Sequence, residues 1–98
     1  MSPTDQPNPE MLKRNELLQF PCDFPVKVLG RTGDLFRTHV TEIVERHMGA
    51  VEPARITERF SRDGNFVALT FNLKPQSREQ LDELYRELSA SELIVMVL

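Results

Sequence analysis

One nine-residue stretch, Leu29-Gly-Arg-Thr-Gly-Asp-Leu-Phe-Arg37, holds the residue types that most directly suggest chemistry. Gly30 and Gly33 allow the backbone to approach a ligand or to adopt a positive φ. Arg31 and Arg37 can neutralise an anion, and the N–H groups at a helix N-terminus bind anions as well. Three interpretations are therefore open: a phosphate cradle, a small-ligand loop, or a turn from a strand into a helix.

Metal and nucleophile chemistry has less support in this sequence. His39 and His47 are eight residues apart, about 12 Å along a helix, which is too far to share one metal ion directly. A single cysteine, Cys22, permits neither a disulfide within the chain nor a cysteine-rich metal site. We therefore predict no metal, no cofactor and no catalytic residue.

The hydrophobic pattern predicts the elements that flank the loop. Residues 24–29 contain good β formers, and Gly30 is expected to close this first strand. From Asp34 onward, apolar residues recur at spacings of three and four, which is typical of an amphipathic helix. We take Asp34 as its N-cap and Gly49 as the residue that follows its last turn.

Two alternating runs then predict a β-hairpin. Residues 54–60 and 66–73 alternate between apolar and polar side chains, and Asp63-Gly64 supplies the turn between them. Glu58 is the one member of the inward-facing set of the first run that does not fit an apolar core. The first run therefore predicts a half-exposed strand.

The remaining residues predict a second helix and a last strand. Ser77 followed three residues later by Gln80 is a capping-box pattern, and the fully apolar run 93–98 predicts a strand. The apolar face of the helix consists of Leu81, Leu84, Tyr85 and Leu88. The order β-α-β-β-α-β predicts an α+β fold of the ferredoxin-like type, with a four-stranded antiparallel sheet and two helices on one face.

Composition limits the classes of function. The 98 residues, 40% of them hydrophobic, suffice for one domain, which we place at residues 12–98 behind a flexible tail at residues 1–11. The net charge of −3 argues against a generic grip on nucleic acid or on an anionic membrane. The sequence shows neither a membrane span nor a signal peptide. We therefore expect a cytoplasmic protein that binds neither nucleic acid nor membrane.

Several motifs together resemble the YbeD family of small bacterial proteins. They are Asn15-Glu-Leu-Leu-Gln-Phe-Pro21, Val26-Lys-Val-Leu-Gly30, Arg46-His47, Leu84-Tyr-Arg-Glu-Leu88 and Val95-Met-Val-Leu98. The resemblance implies a ferredoxin-like domain similar to the ACT regulatory domains of amino-acid metabolism, in a family that offers no catalytic residues to transfer. It also implies a link to lipoate metabolism, because genes of such proteins often lie near those for lipoate attachment.

Acylphosphatases share this fold and offer an enzymatic alternative. Their phosphate loop has the pattern G-R-x-x-G-x-x-F-R, and the similar residues here are Gly30-Arg31, Gly33 and Phe36-Arg37. This loop has one residue fewer between Arg31 and Gly33, which moves the donors by about 3 Å. The asparagine that would orient water is missing, and Phe60 falls near its place. We therefore expect no enzyme, and the alternative is a hydrolase with Arg31 or Arg37 as the phosphate-binding cation.

An ACT-like ligand loop is the second interpretation of the same residues. A glycine there lets the backbone approach a bound small molecule, and the helix N-terminus binds its carboxylate. The candidate ligand-binding residues are Gly30, Arg31, Thr32, Gly33 and Asp34. The third interpretation, a strand-to-helix turn with a positive φ and a polar cap, stays open.

The final strand is a candidate protein interface. In the strand order 4-1-3-2 it lies at an edge of the sheet, yet it has no lysine, proline or charge to prevent pairing. The candidate interface residues are Leu93, Val95, Val97 and Leu98. We expect self-association or an unidentified protein partner at this edge, unless residues 12–20 cover it.

A basic patch is the last candidate surface. Lys27, Arg55, Arg59 and Arg62, with Phe66, resemble the cationic and aromatic surfaces that bind single-stranded nucleic acid. The consensus of RNA-recognition strands is absent, so we interpret the patch as a solvated or partner-binding face. The sequence as a whole predicts a small non-enzymatic regulatory or adaptor domain that acts through protein contact or a small-ligand loop.

Overall fold

The structure, a computed structural model, describes residues 19–98. The predicted tail at residues 1–11 and the segment 12–18 lie outside this range. The elements are β1 (Phe24–Arg31), α1 (Asp34–Met48), β2 (Ile56–Phe60), β3 (Phe66–Leu73), α2 (Arg78–Ala90) and β4 (Ile94–Val97). Across these 80 described positions, no helix has both the length and the apolar character needed to cross a membrane.

The four strands form one antiparallel sheet in the order β2-β3-β1-β4. The two central strands are β1 and β3, whereas β2 and β4 lie at the edges. Both helices pack on the same face of the sheet and contact each other. This is the ferredoxin-like fold, so the predicted fold and the predicted strand order are confirmed.

The hydrophobic core lies between the sheet and the two helices. Alternate residues of β1 and β3 point into it and pair across the strands, as Val26 does with Phe71 and Val28 with Leu69. The buried apolar side chains are Phe24, Val26, Val28, Phe36, Val40, Ile43, Val44, Val67, Leu69, Phe71, Leu73, Leu81, Leu84 and Leu88. Each helix thus buries the face that its periodicity predicts, except that Leu35 in the first turn of α1 is exposed.

The first strand is longer than the sequence predicts. Gly30 does not close β1, because Gly30 and Arg31 still pair with Val67 and Phe66 of β3. A glycine inside a strand often marks the close approach of another group. Here that group is the ring of Phe36.

The N-cap of α1 lies one residue earlier than predicted. Gly33 occupies the cap position without a side-chain hydrogen bond, and Asp34 is the first helical residue. In the first turn the Asp34 carboxylate still suits the positive end of the helix dipole. Gly49 follows α1 with a φ of 80°, as predicted, and its N–H donates to the Glu45 carbonyl.

Both edge strands are shorter than predicted. Residues Pro53–Arg55 form a short 3-10 helix, so β2 begins at Ile56 rather than at residue 54. The last strand covers Ile94–Val97 rather than residues 93–98. Leu98 nevertheless exchanges two backbone hydrogen bonds with Lys27, so pairing with β1 continues beyond the strand.

The cap of α2 is half of the predicted capping box. The Ser77 hydroxyl accepts a hydrogen bond from the Gln80 N–H at 3.1 Å, as predicted. The Gln80 side chain, however, accepts from the Gln76 N–H at 2.6 Å instead of reaching Ser77. Its amide nitrogen donates to the His47 carbonyl at 2.7 Å. Gln80 therefore joins the start of α2 to the end of α1.

Candidate functional site

Gly30 makes room for the first helix. A Cβ at this position would lie 2.2 Å from Cε1 of Phe36, far inside van der Waals contact. Phe36 is buried in the core, and its ring sits directly against the Gly30 backbone. The need for glycine at this position therefore comes from packing and does not require a bound ligand.

The rest of the loop is fixed to the β2–β3 hairpin. The Thr32 hydroxyl donates to the Gly64 carbonyl at 2.7 Å, and the Thr32 N–H donates to the Asn65 carbonyl at 3.0 Å. Gly33 has a φ of 154°, a conformation that side chains disfavour, and no heavy atom lies within 4 Å of an added Cβ. Gly33 thus serves the turn into α1, while Thr32 anchors it.

Both candidate phosphate-binding arginines have partners within the fold. The Arg31 guanidinium lies 5.6 Å from the centre of the Phe66 ring, its cross-strand neighbour on β3. Arg37 forms an ion pair with Glu58 of β2. Glu58 is the residue that did not fit an apolar inward set, and this ion pair explains its place beside the helix. An anion at the loop would have to compete for both arginines.

The loop and the last strand meet at a shallow cleft of about 260 Å³. Three of its apolar residues are exposed: Leu35 by 70%, Val95 by 63% and Leu93 by 38%. The cleft brings the predicted ligand loop and the predicted interface together, and it is lined by Arg31, Thr32, Gly33, Leu35, Phe36, Glu92, Leu93 and Val95. Gly30, Asp34, Val97 and Leu98 do not line it.

A β-bulge sets the directions of the side chains in β4. Leu29 pairs with Met96 and Gly30 pairs with Ile94, so Val95 is an extra residue without a partner on β1. Val97 is partly buried against the core, although the sequence predicted it as an interface residue. Met96, which was not predicted, is 49% exposed, and Leu98 is 59% exposed.

The sequence did not single out two of the exposed apolar residues. Leu35 belongs to the apolar set of α1, but it lies in the first turn and points away from the core. Met96 alternates with Val95 and Val97, so the run alone does not identify its face. Their exposure depends on the start of the helix and on the bulge, and the sequence gives no clear signal for either.

The two histidines serve separate contacts between elements. His39 Nε2 lies 2.8 Å from Ser91 Oγ, and His47 Nε2 lies 2.7 Å from Glu87 Oε1. Within residues 19–98, no group of three or more His, Cys, Asp or Glu side chains is arranged to hold a metal ion. Cys22 is a free, half-buried thiol.

Glu87 is held by two residues of α1. The hydrogen bond from His47 lowers the pKa of the Glu87 carboxyl below its usual value of 4.5, and Arg46 adds to this effect. The Arg46 guanidinium lies 2.7 Å from the second Glu87 oxygen. This cluster joins the two helices, and we interpret it as structural.

Comparisons with known proteins assign the chain to a family. A sequence profile described as "Protein of unknown function (DUF493)" matches residues 15–98. The chain belongs to this family. A UPF0250 protein of Bordetella parapertussis is 42% identical over 82 residues, 84% of this chain and 90% of the relative. A UPF0250 protein of Neisseria gonorrhoeae is 38% identical over 89 residues, 91% of this chain and 98% of the relative.

These relatives confirm the resemblance to the YbeD-like family of small bacterial proteins. Among solved structures, the solution structure of protein HP0495 from H. pylori matches this DUF493 member with a TM-score of 0.69. The match covers 100% of this chain and 96% of that chain at 16% identity. At this identity the likeness supports the ferredoxin-like fold alone.

Proposed function

We propose that this DUF493 member is a small non-enzymatic regulatory or adaptor domain, similar to ACT domains, that works by binding a second copy of itself through β4. The observation that carries the proposal is the uncharged outer edge of β4, with the exposed side chains of Leu35, Leu93 and Val95 beside it. A link to lipoate metabolism, implied by the YbeD-like resemblance, is part of the proposal and rests on that resemblance.

The backbone of β4 supports this choice of partner. Lys27 and Leu98 exchange hydrogen bonds, so the next pair, Val28 and Val97, belongs to the non-hydrogen-bonded class. The N–H and carbonyl of Val97 therefore point towards the outer edge, where no other described strand pairs with β4. Such a row of backbone groups is a template for another strand.

The outer edge of β4 can pair with the same edge of a second copy. A two-fold axis brings the same residues of two subunits together. When that axis is perpendicular to the sheet, the two identical edge strands are antiparallel. Ile94–Val97 carries no charge, so pairing two copies opposes no like charges. Val95 and Leu93 of each copy would then bury apolar surface beside the new strand pair.

The contacts of the loop favour a non-enzymatic role. The hydroxyl and the N–H of Thr32 both donate to carbonyls of the hairpin, and Gly30 leaves the space that the Phe36 ring occupies. Arg31 stacks on Phe66 and Arg37 pairs with Glu58. A phosphate cradle needs preorganised donors aimed at the reacting group, whereas these groups have partners in the fold.

The first prediction concerns the mass of the protein in solution. Val95→Lys should convert a dimer into a monomer, because a lysine on an edge strand opposes pairing. The matched control is Phe60→Lys, which introduces the same residue at an exposed apolar position of the other edge strand, β2. Light scattering at several protein concentrations measures the mass of each variant.

Circular dichroism and thermal unfolding must show that both variants fold. The expected result is a dimer for the unmodified protein and for Phe60→Lys, and a folded monomer for Val95→Lys. A protein that is monomeric at all concentrations, or a Val95→Lys variant that remains dimeric, would refute self-association through β4.

A further inference from the structure

The sheet face opposite the helices, which we call the open face, has an unusual charge distribution. Lys27 pairs with Thr70, Arg31 with Phe66, and Arg59 with Ala68. These pairs alternate with the buried pairs of the core, so all three cations lie on the open face. None of the residues that face this side in β1 to β4 is acidic.

This positive face contrasts with the chain as a whole, whose net charge is −3. The one acidic residue of the strands, Glu58, faces the helices and pairs with Arg37. The other two predicted basic residues do not belong to the face: Arg55 lies in the 3-10 helix and Arg62 lies in the hairpin turn. Among the strand residues, the three cations and the one carboxylate therefore lie on opposite sides of the sheet.

Apolar side chains lie between the cations. Leu29 separates Lys27 from Arg31 along β1, and Met96 of β4 pairs with Leu29. Leu98 lies beside Lys27, to which it is joined by two backbone hydrogen bonds. Met96 and Leu98 are both largely exposed. Along β1, positive and apolar side chains thus follow one another on the open face at intervals of two residues.

We propose that the open face binds an extended segment of a partner protein in which acidic and apolar side chains alternate. An extended segment has the same two-residue period, about 6.8 Å, as Lys27, Leu29 and Arg31 on β1. The complementary pattern is therefore acidic-x-apolar-x-acidic. Arg59 extends the positive charge across the sheet to β2.

Charge and aromatic content favour an acidic segment over a second copy of the chain and over single-stranded nucleic acid. A second copy placed face to face would oppose like charges, because each open face contributes Lys27, Arg31 and Arg59. Single-stranded nucleic acid needs aromatic rings on which bases stack. Phe66 is the only ring on the open face among residues 19–98, and Arg31 already lies over it.

The second prediction tests this proposal with a labelled peptide and fluorescence anisotropy on the full chain. The probe repeats Glu-Thr-Leu-Thr and ends in Glu, and the comparison peptide repeats Lys-Thr-Leu-Thr and ends in Lys. Only the acidic probe should bind, with an affinity that falls as salt is added, because exposed charges are screened. Exposed ion pairs are individually weak, so several must act together.

Variants locate the binding surface. The double variant Lys27→Glu/Arg59→Glu should weaken binding about tenfold or more. The matched control is Arg86→Glu, a charge reversal at an exposed position of α2. Val95→Lys should bind the acidic probe as well as the unmodified protein does, because the open face does not depend on self-association. Failure of this proposal is thus distinct from failure of the dimer.

Three results would overturn the proposal. The first is that the acidic probe does not bind at low salt. The second is that Arg86→Glu weakens binding as much as the double variant does. The third is that oligo(dT) binds more tightly than the peptide and is lost in the double variant, which would favour nucleic acid as the partner.

Discussion

At the scale of single residues, the contact between Gly30 and Phe36 sets where α1 meets the sheet. Gly30→Ala places a methyl group where the Phe36 ring lies, 2.2 Å from Cε1. Overpacking of a core costs about 1–3 kcal/mol, so the third prediction is a loss of this size in the free energy of unfolding. Urea denaturation of the variant and of the unmodified protein measures it.

A second substitution separates packing from backbone strain. Phe36→Leu in the Gly30→Ala background should restore part of the lost stability, because the smaller side chain vacates the space near position 30. At Gly33 no heavy atom lies within 4 Å of an added Cβ, but the backbone has a φ of 154°. Any loss of stability in Gly33→Ala therefore reports backbone strain and not packing. A Gly30→Ala protein as stable as the unmodified one would contradict the packing explanation.

Sequence reasoning singled out the loop residues by type but could not predict the groups that they contact. Gly30 and Arg37 match a phosphate loop as residue types, yet the groups that engage them are the Phe36 ring and Glu58. Glu58 comes from β2, more than 20 residues after Arg37. Contacts between distant segments depend on tertiary packing, which local spacing does not contain.

At the scale of elements, the contact between α1 and α2 should depend on pH. The hydrogen bond from His47, with help from Arg46, lowers the pKa of Glu87 below 4.5. In the unfolded chain this carboxyl takes up its proton at higher pH, so protonation favours unfolding. The stabilising effect is present above about pH 4.5 and is lost as the pH falls through the lower, folded pKa.

The fourth prediction is therefore a difference between variants in the pH dependence of stability. Glu87→Gln should flatten the decline in the free energy of unfolding as the pH falls below about 5. Glu83→Gln is the matched control, because Glu83 is exposed on the same helix and has no ion pair among the described residues. Identical pH profiles for Glu87→Gln and the unmodified protein would contradict the assigned role.

The sequence predicted the elements well because their apolar periodicity is strong, and their ends less well. Ser77 and Gly49 act at the helix ends as expected. The predicted end of β1 was wrong because Gly30 and Arg31 still pair with β3, a contact that no local signal reveals. The N-cap was wrong because Asp34 is a common cap residue, whereas the loop places Gly33 there.

At the scale of the whole molecule, self-association should alter hydrogen exchange at one edge. The Val97 N–H points outward from β4, so in a monomer it should exchange quickly. The fifth prediction is that its protection rises with protein concentration and that Val95→Lys removes the rise. NMR exchange measurements resolve this amide, and the Val28 amide in the central β1 serves as the protected reference.

Protection of Val97 that stays the same at every concentration would mean that β4 is not the site of self-association.

The strand order, and with it the edge position of the last strand, was predictable from the fold. The bulge at Val95 was not, because a run of four apolar residues contains no signal for an extra residue. The open face was visible in part, since Lys27 and Arg59 were recognised while Met96 was missed.

The contact between Gly30 and Phe36 also has an evolutionary consequence. A side chain at position 30 clashes with the aromatic ring at position 36. A substitution at either position alone therefore leaves a clash or a cavity. Across the family the two positions should behave as a single inherited unit, in which glycine persists as long as the ring does.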